Sequence, residues 1–254
     1  MRIGEGQPHA GASAGQPLPG EGLPQAGASA GQPLAGEGWS PVGAEESQAG
    51  ASPGAGAKAS LRRRILGART GLSARQRAAA GSALRDAVLA LPEAQMAGTA
   101  AVYYSIGSEP GTHGLVYALW KRGTYVLLPV LRPDMDLDWA SYEGPDSLRA
   151  GPRGLTEPAE PPRGVAAVSR ADLVIVPALA VDRRGVRLGR GGGSYDRALA
   201  RVGPQVPTIA LLYDAELLDE VPAAPHDQRV RLVARPGTGI KRLPYELPFS
   251  SPLP

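Results

Sequence analysis

From residue 58 onward the apolar positions fall into two alternating patterns. Leu61, Ile65, Ala68 and Leu72 recur at i, i+4, i+7 and i+11, which predicts a helix with one apolar stripe. Lys58, Arg62 and Arg69 repeat at the same spacing about a quarter-turn away, so three cations share a neighbouring face. Ser73 followed by Gln76 reads as a capping box that opens a second helix. Leu84, Val88 and Leu91 form its buried seam, and Pro92 is expected to end it. Short apolar runs then predict strands at 99–104, 124–130, 172–177 and 208–213, with helical stretches at 114–121 and 194–201. Leu173-Val174-Ile175-Val176 has no polar position and reads as a central strand covered on both faces.

Strands alternating with helices indicate an α/β fold: a single three-layer domain with a mostly parallel central sheet, over residues 58–243. Ligands of such sheets bind beyond the carboxyl ends of the strands, so active residues are expected just after Tyr104, Val130 and Pro177. The Pro- and Gly-rich stretch 145–162 reads as a loop, and residues 244–254 as a frayed tail.

Residues 1–57 follow neither pattern. Gly4-Glu5-Gly6 recurs at Gly20-Glu21-Gly22 and at Gly36-Glu37-Gly38, and Ala10 through Leu18 is copied as Ala26 through Leu34. The segment holds 14 of the 34 glycines and 7 of the 26 prolines, with Trp39 its only aromatic, so it has little apolar surface to bury. Ordering backbone costs roughly 1–2 kcal/mol per residue, and nothing here offsets that. The segment is read as a disordered tail. Arg2 against Glu5, Glu21, Glu37, Glu45 and Glu46 gives it a net charge of −4; the chain as a whole carries +3, so the remainder carries +7. Such an excess suits an anionic ligand, a phosphate or polycarboxylate, and equally a weak affinity for nucleic acid.

The absence of cysteine excludes disulfides, thiolate metal sites and cysteine nucleophiles. No apolar run reaches the roughly 18 residues of a membrane span, and no signal peptide is visible, so a soluble, cytoplasmic protein is expected.

The richest segment is Arg187-Leu188-Gly189-Arg190-Gly191-Gly192-Gly193-Ser194-Tyr195-Asp196-Arg197. Its glycines let backbone amides converge on an anion without side-chain obstruction, and the helix that follows adds its amino end. Arg187, Arg190 and Arg197 bring full charges, and Asp196 is the hard oxygen ligand that a magnesium–phosphate complex needs. The segment lacks the Gly-Lys-Ser/Thr of a Walker A loop, and Ser194 breaks the dinucleotide fingerprint.

With Pro177-Ala178-Leu179-Ala180-Val181-Asp182-x-x-Gly185 before it, this loop resembles the signature of the 5-formyltetrahydrofolate cyclo-ligase family, also called methenyltetrahydrofolate synthetases. Lys58-x-x-x-Arg62 is similar to the family's nucleotide-contacting helix, and Tyr103-Tyr104-Ser105-x-x-x-Glu109-x-x-Thr112 to its folate-contacting stretch. Pro129, Met135, Glu157-Pro158, Pro222 and His226-Asp227 fall in matching order, so the resemblance covers about residues 58–235.

The resemblance implies ATP-dependent closure of 5-formyltetrahydrofolate to 5,10-methenyltetrahydrofolate, with ADP and phosphate released and magnesium required. It places Lys58, Ala59, Ser60, Leu61 and Arg62, and Arg187, Leu188, Gly189, Arg190, Gly191, Gly192, Gly193, Ser194 and Tyr195, around ATP. Arg190 would act on the transferring γ-phosphoryl group and Arg62 near the formyl group as the catalytic pair. Tyr104, Glu109 and Met135 would hold the pterin, and Asp196 and Asp227 the metal. It further implies a monomer with no nucleic-acid or membrane partner. Ser194 stands where the family has a Tyr, removing one aromatic wall of the folate pocket, and this leaves open a nucleotide-binding relative without the cyclo-ligase activity.

Overall fold

The computed structural model describes residues 53–244; of the tails read at 1–57 and 244–254, residues 1–52 and 245–254 lie outside the described residues. The chain enters through α1 (Pro53–Thr70), α2 (Ala74–Leu89) and α3 (Pro92–Met96), then β1 (Thr99–Val102) and α4 (His113–Lys121). Two hairpins follow: β2 (Tyr125–Leu131) with β3 (Leu137–Ser141), and β4 (Leu148–Ala150) with β5 (Thr156–Pro158). Next come β6 (Leu173–Pro177), β7 (Ala180–Asp182), β8 (Arg187–Leu188) and α5 (Ser194–Leu199). The chain closes with β9 (Thr208–Leu211), β10 (Leu217–Leu218), β11 (Leu232–Arg235) and β12 (Gly239–Arg242).

The large sheet has the order β12-β11-β9-β6-β1-β2-β3. Its internal pairings are parallel, and the edge strands β12 and β3 run antiparallel. Because side chains alternate along a strand, β6 serves two cores at once. Leu173 and Ile175 join Leu84 and Val88 of α2 and Leu115 and Leu119 of α4 on one face. Val174 and Val176 join Val168, Ala198 and Leu199 on the other, under α5 and the turn of 3₁₀ helix Val165–Arg170. Helices on both faces of a parallel sheet make the three layers expected from the sequence.

A smaller sheet, β10-β7-β8, receives α1. Ile65, with Leu61 and Leu66 beside it, packs on Leu179, Ala180, Val186, Leu188 and Val221, so the apolar stripe of α1 has its partner. Buried Asp182 builds the β7–β8 turn: one carboxylate oxygen accepts from the Arg184 and Val186 amides at 2.8 and 3.0 Å, the other from the Arg184 guanidinium and the Val221 amide. Gly185 completes that turn at φ 85°, where a Cβ would collide with the Val230 carbonyl. The signature Asp and Gly therefore aim the hairpin that delivers Arg187 and the glycine loop.

Several readings are corrected. The first helix starts at Pro53, ahead of the boundary at 58, since proline's fixed φ and missing N–H suit a first helical position. Pro92 opens α3 and does not merely stop α2, for the same reason. The loop 145–162 contains the β4–β5 hairpin. The capping box of Ser73 and Gln76 is present with both its hydrogen bonds.

Candidate active site

The carboxyl ends of β1, β2 and β6, the β7–β8 hairpin and the first turns of α1 surround a cavity of about 680 Å³. This is where the connecting loops of a parallel sheet meet. From α1, residues 58 and 62 face the cavity, and the helical period carries Arg69 to its floor. Lys58 Nζ donates to Asp227 Oδ2 at 2.5 Å, and Arg62 Nε to the Gly189 carbonyl at 2.9 Å. The glycine loop thus lies directly beneath the cationic row of α1.

Gly191 (φ 107°) and Gly193 (φ 69°) take left-handed conformations that turn the loop tightly into α5. Gly193 caps α5, so Ser194, Tyr195 and Asp196 form its first turn beside the cavity. Arg187, 5 % exposed, donates to Asp196 Oδ1 at 2.9 Å and to the Pro177 carbonyl at 3.3 Å, while its Nε is buried without a partner. Burial pushes the Tyr195 hydroxyl far above its ordinary pKa, with the Glu109 carboxylate adding to the shift, so it remains a proton donor.

Past β1, Glu109 lies across the cavity from the loop and meets it: Arg190 Nε is 3.2 Å from Glu109 Oε1. The other Glu109 oxygen accepts from the Ile106 amide at 3.0 Å, which fixes the carboxylate. Tyr104 stacks on His113 with ring centroids 4.1 Å apart, and so presents a braced aromatic wall. Past β2, Met135 has φ 65°, an uncommon backbone for a side chain that lies against Gly192. Its carbonyl accepts from Arg197 Nη2 at 2.6 Å, tying this turn to α5.

The family model described as "5-formyltetrahydrofolate cyclo-ligase family" matches residues 55–236. The chain belongs to the 5-formyltetrahydrofolate cyclo-ligase family. A relative in Mycolicibacterium smegmatis, named 5-formyltetrahydrofolate cyclo-ligase, is 45% identical over 150 residues, covering 57% of this chain and 77% of the relative. The cyclo-ligase of Escherichia coli is 32% identical over 171 residues, covering 66% of this chain and 94% of the relative. The solved 5,10-methenyltetrahydrofolate synthetase of Aquifex aeolicus superposes with a TM-score of 0.65 at 25% identity, over 76% of this chain and 97% of that one.

Most residues assigned through the cyclo-ligase resemblance do converge. Lys58, Arg62, Tyr104, Glu109, Met135, Asp227 and the whole of 187–196 line the one cavity. Ala59, Ser60 and Leu61 do not: on a helix that faces the cavity with 58 and 62, the intervening positions point elsewhere, and Leu61 packs on the small sheet. Glu157 is structural, 4 % exposed, its carboxylate accepting from the Leu131 amide at 2.8 Å.

The acidic group Asp214, Glu216, Asp219 and Glu220 holds one buried member. Glu216 takes Arg69 Nε and Nη2 at 2.6 and 2.8 Å and the Tyr213 amide at 2.8 Å. Arg69 also donates to the Ala178 carbonyl at 2.7 Å. Burial is the largest influence and lowers the Arg69 pKa, but the hydrogen bond and the charge of Glu216 together outweigh it, and the guanidinium stays charged. The cationic row of α1 was the available signal for Arg69; nothing local marks Arg153, which also borders the cavity.

For magnesium, the residues fit a metal that arrives with its phosphates. No group of three or more metal-ligating side chains exists among the described residues. Asp196 and Asp227 each commit one oxygen to cations and amides, leaving Asp196 Oδ2 without a hydrogen bond and Asp227 Oδ1 only 3.7 Å from His226 Nε2. Magnesium is commonly bound by one or two carboxylates together with substrate phosphates, which matches this pair. Burial tends to raise the Asp227 pKa, but the Lys58 ammonium and the Ala224 amide hold it below the ordinary carboxylate value, so this carboxylate is anionic at neutral pH.

Proposed function

We infer that this chain catalyses the ATP-dependent cyclisation of 5-formyltetrahydrofolate to 5,10-methenyltetrahydrofolate, with release of ADP and phosphate. The observation that carries the reading is the contact of Arg190 with Glu109, which brings the glycine loop and the strand-end carboxylate to a single point in one cavity.

The glycine loop offers amides to the triphosphate while Lys58 and Arg62 neutralise it from above. Arg187 holds the hairpin and α5 together through Asp196, and so positions the loop. Glu109 accepts hydrogen bonds from the amino and ring N–H groups of the pterin, while Tyr104 and Met135 flank its faces. The formyl oxygen, a poor leaving group, takes the γ-phosphoryl group as the bond to ADP breaks. N10 then attacks the activated carbon, phosphate departs with the former formyl oxygen, and the N10 proton passes to solvent. Arg190 stabilises the charge on the transferring group, the role expected of a guanidinium in a step governed by positioning and electrostatics. Bound magnesium, held by Asp196 and Asp227 with the phosphates, supplies charge neutralisation. Mixing the protein with 5-formyltetrahydrofolate and magnesium–ATP should raise the absorbance of the methenyl product; ATP binding without that signal defeats the reading.

A further inference from the structure

Among the described residues, six lysine and arginine side chains border the cavity: Lys58, Arg62, Arg69, Arg153, Arg187 and Arg190. Five already have an acceptor, namely Asp227, the Gly189 carbonyl, Glu216, Asp196 and Glu109 for all but Arg153. Arg153 has no hydrogen bond, ion pair or ring contact among the described residues. It sits in the turn Pro152–Gly154 at φ 58°, a conformation that side-chain-bearing residues rarely adopt.

The turn is not a loose loop. The Gly151 amide donates to the Leu155 carbonyl at 2.8 Å, and the Leu155 amide to the Pro152 carbonyl at 3.0 Å. Glu157 ties the hairpin to the end of β2 through the Leu131 amide, and only the missing side chain of Gly151 makes room for it, because a Cβ there would lie 2.6 Å from Glu157 Cδ. Arg153 is thereby set at the cavity wall with Leu155, while Leu131 and Leu137 line the neighbouring end of the β2–β3 hairpin. An unpaired guanidinium beside an apolar wall suits a ligand whose hydrophobic ring ends in a carboxylate.

We propose that Arg153 receives a carboxylate of the glutamyl end of the folate substrate. The inference rests on the functional reading above, which gives the triphosphate to the glycine loop and the pterin to Glu109. What remains of the substrate is a benzoyl ring and a glutamate. The leucine wall takes the ring, and the guanidinium pairs with the carboxylate in the forked geometry these two groups favour.

The test compares wild type with R153G, which relieves the positive φ, and R153Q, which keeps the stem. Steady-state constants are measured for 5-formyltetrahydrofolate, for 5-formyltetrahydropteroate lacking glutamate, and for ATP. The KM for the glutamylated substrate should rise roughly tenfold in both variants, as for loss of a charge-assisted hydrogen bond. The KM for the pteroate, the KM for ATP and kcat should stay within about twofold of wild type. An equal rise for the pteroate would assign Arg153 to packing, and a rise for ATP alone would assign it to phosphate; either result, or unchanged constants throughout, overturns the proposal. A wild type that forms no methenyl product would instead defeat the functional reading itself.

Discussion

Replacing Glu216 with Ala isolates what holds α1 over the cavity. The carboxylate accepts three N–H groups, from Arg69 twice and from Tyr213, at 2.6 to 2.8 Å. The Arg69 side chain is 1% exposed and Glu216 7%, so the variant leaves a guanidinium in the interior with no counter-charge, facing the Ala178 carbonyl and the Tyr213 ring. Removing one partner of such a pair costs about 3–5 kcal/mol, because the remaining charge stays desolvated. For a domain of this size that is a fall in melting temperature of roughly 6–20 °C. The pair itself need not add net stability, so the double variant R69M/E216L should recover much of the loss. Arg69 shares α1 with Lys58 and Arg62, so E216A should also raise the KM for ATP. Differential scanning calorimetry of wild type, R69M, E216L and R69M/E216L closes the cycle, with E216A measured beside it. A melting point for E216A within about 2 °C of wild type, or a double variant no better than E216A, would refute the argument that a buried charge is stranded.

Gly185→Ala should destabilise by about 2–4 kcal/mol, since the new methyl group meets the Val230 carbonyl at a positive φ; chemical denaturation reads the loss. Asp136 is held below its ordinary pKa chiefly by the Arg201 hydrogen bond. Its stabilising effect is complete above the unfolded value of about 3.9 and disappears as pH falls through the lower folded value, so D136N and wild type should differ in stability at neutral pH and converge once the pH lies below the folded value. Glu109→Gln should raise the KM for 5-formyltetrahydrofolate more than tenfold while leaving the dissociation constant of ATP within about threefold, by loss of a charged acceptor.

The central sheet was legible because β6 is buried on both faces and declares itself as an unbroken apolar run. The loop signature was legible because phosphate chemistry needs glycine and cations close together in sequence. The small sheet was not, since β8 and β10 have two residues each and cannot show a period. β3 begins beside Asp136 and carries Asp138, polar positions that obscure an edge strand. The burial of Glu216 was not legible because its partner Arg69 lies 147 residues away, a pairing no local pattern encodes. Ala59, Ser60 and Leu61 entered the site only as neighbours of Lys58 and Arg62, and the helical period removes them.

The most direct measurement is the effect of Arg190→Ala on kcat set against its effect on the dissociation constant of ATP. Arg190 is 53% exposed and, among the described residues, pairs with Glu109, so it can turn to the phosphoryl group in transit. The account predicts kcat lower by about 10²–10³, with ATP bound nearly as tightly as before, because the interaction forms in the transition state. Equal losses in both, or an unchanged kcat, would contradict it.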